Sequence, residues 1–133
     1  MTDTLRRTDR VRRRPEFERA YDTGVRIHGR LMMLFVVPNG GSSSRLGVAA
    51  TRKLGSAVER NRAKRLAREV FRRHKVAAGL DIVIVPRREM LDASFATIEA
   101  DYLAALARRD RERARSPSRP DRRGRGRRPA QRV

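Results

Sequence analysis

Basic side chains are concentrated between residues 57 and 74, where the sequence predicts a helix. At about 100° per residue, most of them fall on one broad side of that helix, which also carries the acidic Glu69. A solvated helix face usually mixes charges, because like charges four residues apart repel each other. Guanidinium groups bind phosphate through paired hydrogen bonds, so this side is typical of a surface that binds a phosphate polymer. The candidate binding residues are Arg60, Asn61, Arg62, Lys64, Arg65, Arg68 and Arg72.

The remaining side of the same helix is apolar. Its hydrophobic residues fall in an arc of roughly 140°, as in a helix that packs on a core. They are Ala63, Leu66, Ala67, Val70 and Phe71. Ser56 is a plausible N-cap. Asn61 lies among the arginines, and the sequence leaves open whether it contacts a base edge or ribose hydroxyl or acts as a local cap.

The whole chain is strongly basic, with 34 Lys and Arg against 15 Asp and Glu and a formal net charge of +19. Self-repulsion of this size destabilises a compact monomer, so a polyanionic partner is expected. Residues 107–133 hold 12 Arg and 3 acidic residues, a net charge of +9, which leaves +10 on residues 1–106. We expect 107–133 to be a disordered Arg-rich tail, either a phosphate-binding arm or a solubilising extension.

The composition argues against several classes of protein. The chain has no cysteine, so it has neither disulfides nor a thiolate metal site. The N-terminus lacks the apolar stretch of a signal peptide, and no apolar run approaches the roughly 20 residues that span a bilayer. We therefore expect a cytoplasmic protein with no membrane partner.

The sequence offers no convincing catalytic group. A protein nuclease would need clustered carboxylates that hold metal ions, or a histidine pair for acid–base work. His28 and His74 lie in different predicted elements, without an acidic partner nearby in sequence. Glu16, Glu18 and Asp22 are most simply solvated charges and partners of a helix dipole. We therefore predict no catalytic residue in this chain and assign no metal ligand.

Hydrophobic periodicity predicts six elements in the order helix, strand, strand, helix, strand, helix. They span residues 15–23, 31–37, 46–51, 57–74, 81–86 and 94–106. The first two strands are expected to pair as a hairpin, because the loop between them is short. The fold class is α+β, an α-β-β-α-β-α sandwich of three helices on a small central mixed sheet. The folded domain is expected at 10–106, after a flexible basic N-terminus at 1–9.

The run RKLGSAVERNRAKR at residues 52–65 resembles the signature of the bacterial ribonuclease P protein subunit. A basic pair is followed by a turn, an Ala-Val pair, an Arg-Asn-Arg triplet and a second basic pair. Arg68 and Phe71 follow at the family spacing. Upstream, the segment RPEF at 14–17 and then Tyr21 match the first helix of the family, and the resemblance extends from about residue 10 to residue 106.

The resemblance implies a sheet of about four strands with a left-handed βαβ crossover, although right-handed crossovers are the strong default. It also implies that a separate RNA subunit, with Mg²⁺, is the catalyst of an endoribonuclease that removes the 5′ leader of precursor tRNA. The protein would bind that RNA through the Arg-Asn-Arg helix and the leader through a separate cleft, with no protein partner implied. The alternatives are a non-catalytic ribosomal or structural RNA-binding protein and a stand-alone metal-dependent RNase.

The leader cleft has candidate residues on two elements. Phe17 and Tyr21 lie four residues apart, so they share one helix face, and Phe35 could meet them across the sheet. The resemblance favours a platform on which leader bases stack, with Arg52 and Lys53 holding phosphates. The other interpretation is that Phe17 and Phe35 are ordinary core. Tyr21 is expected to be the surface aromatic residue, because its hydroxyl needs a partner.

Overall fold

The fold is seen in a computed structural model, which describes residues 9–74 and 79–115. Within this part the elements follow in the order α1, β1, β2, β3, α2, β4, α3. They are α1 Arg14–Thr23, β1 Val25–His28, β2 Met32–Pro38, β3 Arg45–Val48, α2 Ala57–Arg73, β4 Leu80–Pro86 and α3 Phe95–Arg115. The predicted α+β class is confirmed. Residues 1–8 and 116–133, which hold most of the predicted flexible ends, lie outside the described residues.

The four-stranded sheet has the strand order β1-β2-β4-β3. β2 pairs antiparallel with β1 and with β4, whereas β3 pairs parallel with β4. The predicted hairpin between residues 31–37 and 46–51 is therefore wrong, because β4 lies between those strands. β4 is buried over nearly its whole length, and a strand that is apolar on both faces is stabilised most at the centre of a sheet.

β1 was not predicted as a strand. Its sequence VRIH is only 4 residues long and places Arg26 and His28 on one face, so it lacks an apolar run. The pairing with β2 fixes it in register, with Ile27 opposite Leu34 and His28 opposite Met33. The strand count implied by the family resemblance is confirmed.

The two faces of the sheet bury different side chains, because successive residues of a strand point to opposite faces. Met32, Leu34 and Val36 of β2 belong to the main core, which also contains residues of α2 and α3. Phe35 and Val37 of the same strand belong to a second cluster with residues of α1. The predicted apolar side of α2 is confirmed, since its residues pack inward. Those that are fully buried are Ala63, Ala67, Val70 and Phe71.

Capping explains where α2 begins. The Glu59 N–H donates to Ser56 Oγ at 3.2 Å, and the Ser56 N–H donates to Glu59 Oε1 at 2.9 Å. This reciprocal pair satisfies two backbone donors at the helix start, and it confirms the predicted N-cap.

The last helix is longer than predicted, because α3 continues past the predicted end at Leu106 to Arg115. The continuation is rich in Arg and Ala, and Pro117 is the first residue that would oppose a helix.

Candidate nucleic-acid interface

The basic side of α2 faces away from the core, as predicted. Asn61, Arg62 and Arg65 are exposed, and they form the outer part of this surface. Four further basic residues are half-buried along the border between the helix and the rest of the protein. They are Arg60, Lys64, Arg68 and Arg72. We call the seven residues together the basic face.

Ion pairs within the protein neutralise one end of the basic face. Arg72 donates a hydrogen bond to the Glu69 carboxylate, and Arg73 Nε donates to the same oxygen at 2.8 Å. These two hydrogen bonds, first from Arg72 and then from Arg73, lower the pKa of Glu69. The charge of Arg72 is therefore already partly balanced, and this residue is less available to an external phosphate than the sequence predicted.

The central part of the basic face carries charge without such compensation. Among the residues that the structure describes, no carboxylate lies within ion-pair distance of Arg62, Lys64, Arg65 or Arg68. Burial, together with the nearby Arg10 and Arg65, lowers the pKa of Arg68. A half-buried guanidinium beside two others is a concentrated positive potential, which attracts a polyanion.

Arg60 has a local structural contact. Its Nη1 donates to the Gly55 carbonyl at 2.9 Å. The backbone of Gly55 has a φ of 150°, which favours glycine, and it ends the 3-10 turn Arg52–Leu54. Arg60 thus holds the turn that carries Arg52 and Lys53, both of which are exposed. The Arg60 side chain therefore connects the basic face to the turn with Arg52 and Lys53.

The three aromatic residues of the predicted leader cleft do meet, but they are buried. Phe17, Tyr21 and Phe35 are 1%, 8% and 2% exposed. The ring centroids of Tyr21 and Phe35 lie 4.9 Å apart with an edge-to-face angle of 70°. The expectation that Tyr21 is a surface residue is wrong, because α1 lies across β2 and turns its aromatic pair toward the sheet. In this structure the three rings are core.

One end of the same sheet face is only half-buried. Met33 is opposite His28 on β1 and opposite Val85 on β4, and both Met33 and Val85 are only half-buried. β3 runs parallel to β4, so the turn with Arg52 and Lys53 follows at the same end of the sheet. We call these five residues the sheet-end surface. Sequence analysis missed three of them, although the strand alternation from Phe35 back to Met33 pointed to this face.

The two histidines lie in separate places. Arg87 Nη2 is 3.4 Å from His28 Nδ1, and burial, then Arg26 and Arg87, lowers the pKa of His28. His74 Nε2 is 2.8 Å from Glu99 Oε2, an acidic partner from α3 that sequence reasoning did not find. Long-range pairs of this kind leave no signal in the local sequence.

Within residues 9–74 and 79–115, no group of three or more His, Cys, Asp or Glu side chains could hold a metal ion. In the same part of the chain, no helix has the length and apolar character needed to cross a membrane.

Comparison with known proteins identifies relatives of this chain. A family model described as Ribonuclease P matches residues 5–110. The ribonuclease P protein component of Desulfovibrio desulfuricans is 40% identical over 110 residues, which cover 78% of this chain and 85% of that protein. The corresponding protein of Thermotoga maritima is 34% identical over 114 residues, covering 81% of this chain and 97% of that protein.

Solved structures agree with the sequence comparisons. The RNase P protein of Staphylococcus aureus matches with a TM-score of 0.67 at 30% identity, covering 74% of this chain and 93% of that one. The RNase P protein of Thermotoga maritima matches with a TM-score of 0.68 at 34% identity, covering 74% and 96%. The sequence signature, the strand order and these relatives agree, and the chain belongs to the ribonuclease P protein family.

Proposed function

We propose that this chain is the protein subunit of ribonuclease P, an endoribonuclease that removes the 5′ leader of precursor tRNA. Its partners would be the catalytic RNA subunit and precursor tRNA. Family membership supports the role, and the observation that carries it is the uncompensated charge at the centre of the basic face, on Arg62, Lys64, Arg65 and Arg68. A compact domain that keeps several adjacent cations without carboxylate partners gains stability when a polyanion binds there.

The RNA subunit would bind along the basic face. Arg62 and Arg65 are exposed and free to reach phosphates, while Lys64 and Arg68 lie at the border of the helix. Asn61 stands among them, exposed, with a side-chain amide that can donate and accept hydrogen bonds to a base edge or a ribose hydroxyl. Arg60 positions the neighbouring turn, and Arg72 contributes only part of its charge because Glu69 holds it.

The leader would lie on the sheet-end surface. Met33 and Val85 provide an apolar floor for a base, and Arg52 and Lys53 stand beside it where phosphates would pass. Phe17, Tyr21 and Phe35 support this floor from within the second core cluster, against which Met33 and Val85 pack. The aromatic residues would thus act through the shape of the surface.

Catalysis would belong to the RNA subunit with Mg²⁺, as the family resemblance implies. The protein residues would screen the repulsion between phosphates of the two RNAs and would hold the leader. Leader contacts exist only in the precursor, so the mature product, which lacks them, would bind more weakly. Contacts with the leader would therefore strengthen binding of the precursor without strengthening binding of the mature tRNA, which favours dissociation of the product.

The experiment is cleavage of precursor tRNA at low Mg²⁺ by the protein alone, the RNA subunit alone and both together. We expect cleavage only where the RNA subunit is present, and faster cleavage when the protein is added. Cleavage by the protein alone would instead support a stand-alone metal-dependent RNase. No stimulation by the protein would favour a ribosomal or structural RNA-binding protein.

A further inference from the structure

A cavity of about 140 Å³ opens at the β3 edge of the sheet. The segment before α1 forms one wall. Arg10 pairs with Leu46 of β3 in an isolated parallel β-bridge, and the Val11 N–H donates a hydrogen bond to the Leu46 carbonyl at 2.8 Å. α2 forms the opposite wall with Lys64 and Arg68. The cavity therefore lies between two walls that the fold holds in place.

The floor of this cavity is apolar. It is lined by Val11, Phe17, Leu46 and Val48. An apolar cavity of about 150 Å³ in another protein binds benzene, so this volume suits one aromatic ring. An inorganic anion would leave the apolar floor in contact with water, whereas a planar base would cover it.

The rim of the cavity is cationic. The side chains there are Arg10, Arg12, Lys64 and Arg68, and none of the described residues that line the cavity is acidic. Neither Lys64 nor Arg68 has a carboxylate partner among the residues the structure describes. Like charges on one rim repel each other. Burial, followed by the nearby Arg10 and Arg65, lowers the pKa of Arg68. An anionic group at the mouth would relieve the repulsion.

The mouth is continuous with the basic face, because Lys64 and Arg68 belong to both. We infer that this cavity receives one unstacked nucleotide of the RNA that lies on α2. Its base would rest on the apolar floor, and its phosphate would lie between Lys64 and Arg68. The inference rests on the proposed function, and it adds a site that selects a bulged or looped nucleotide over a regular duplex.

The first test fills the cavity without changing its charge. Val48→Phe would place a ring on the floor, and Val25→Phe on β1, at the opposite edge of the sheet, is the control. Base-specific chemical probing of ribonuclease P RNA should show one nucleotide protected by the wild-type protein and exposed with Val48→Phe. Affinity should fall about tenfold, as for loss of one stacked base, while Val25→Phe leaves both unchanged.

A second test uses the wild-type protein and small probes, so it does not depend on whether Val48→Phe folds. Adenosine monophosphate and inorganic phosphate are titrated while the methyl resonances of Val11, Leu46 and Val48 are followed by NMR. We expect the nucleotide to shift these methyls and to bind more tightly than phosphate. Equal affinities with unshifted methyls would reduce the cavity to an anion site and overturn the inference.

The outcomes separate the inference from the function on which it rests. If the wild-type protein does not bind ribonuclease P RNA at all, the proposed function is wrong. If it binds, and a folded Val48→Phe protein gives the same affinity and the same protected nucleotides, the inference alone is overturned. Arg68→Gln should resemble Val48→Phe in exposing that nucleotide, whereas Arg14→Gln, on α1 and outside both the cavity and the basic face, should not.

Discussion

Glu69 limits how much of the charge on α2 an RNA can use, because its carboxylate accepts hydrogen bonds from both Arg72 and Arg73. Arg73 also lies over the Phe95 ring, with its guanidinium carbon 4.8 Å from the ring centroid. This arrangement fixes the last turn of α2 against α3. The ion pairs with Glu69 that order the end of α2 therefore also reduce its attraction for phosphate.

Glu69→Gln should release that charge. We expect tighter binding of the RNA subunit and a steeper dependence of affinity on salt, by about one phosphate contact. The free energy of unfolding should change little, because ion pairs on a helix surface contribute little to stability. Filter binding at several salt concentrations measures the effect. Glu18→Gln, which removes a carboxylate paired with Arg14 on α1, is the control and should leave the slope unchanged.

Tyr21→Ala tests the burial of the aromatic cluster. Removing a buried ring beside Phe17 and Phe35 should lower the free energy of unfolding by about 3–5 kcal/mol. Thermal or urea unfolding measures the loss. A variant with unchanged stability but weaker binding of precursor tRNA would show that the ring is accessible to the leader instead.

Met33→Ala is the matched change on the sheet-end surface. It should weaken binding of precursor tRNA by on the order of 1 kcal/mol and leave mature tRNA little affected, because the mature product has no leader. Equal losses for the two RNAs would contradict the assignment of this surface to the leader.

At the scale of elements, α2 was predictable and the sheet order was not. The helix has its cap, its apolar side and its basic face within 18 consecutive residues, so local rules determine it. The central place of β4 depends on pairing with residues 32–38 and 45–48, which are far away in sequence. The burial of Phe35 under α1 likewise depends on packing between two different elements. The exposed basic residues of α2 could therefore be predicted, whereas the sheet order that places Met33 beside Val85 could not.

Arg62→Ala and Arg65→Ala together should remove two phosphate contacts from the basic face. We expect the log–log slope of affinity against salt to fall by about 0.7–0.9 per contact, with little change in stability because both side chains are exposed. Arg14→Ala on α1 is the control. An unchanged slope in the double variant would mean that the RNA lies elsewhere.

At the scale of the whole molecule, the excess of positive charge should make the folded state less stable in acid. Lowering the pH protonates carboxylates and adds to a net charge of +19. The pKa of Glu59 is lowered by the Ser56 backbone N–H and by Arg88, and that of Glu69 by Arg72 and Arg73. The pKa of His28 is lowered by burial, Arg26 and Arg87.

All three groups bind protons more readily in the unfolded chain, so stability should fall as the pH falls. The His28 contribution should begin near its ordinary pKa of 6.5, and the glutamate contributions should be lost below 4.5. Urea unfolding between pH 7.5 and 3.5 measures the profile. Replacing His28 by Asn should remove the loss of stability that begins near pH 6.5 and leave the loss at lower pH unchanged. A free energy of unfolding that increases toward low pH would contradict the prediction.

The central position of β4 has a consequence for the order of events during synthesis. The strand that joins β2 to β3 is made after both of them and after the whole of α2. Until residues 80–86 leave the ribosome, β3 lacks the strand with which it pairs in the sheet, and the apolar side of α2 has only part of its support. A nascent chain that ends before this strand would carry the arginine signature without a scaffold, so selective recognition of RNA must await the synthesis of residues 80–86.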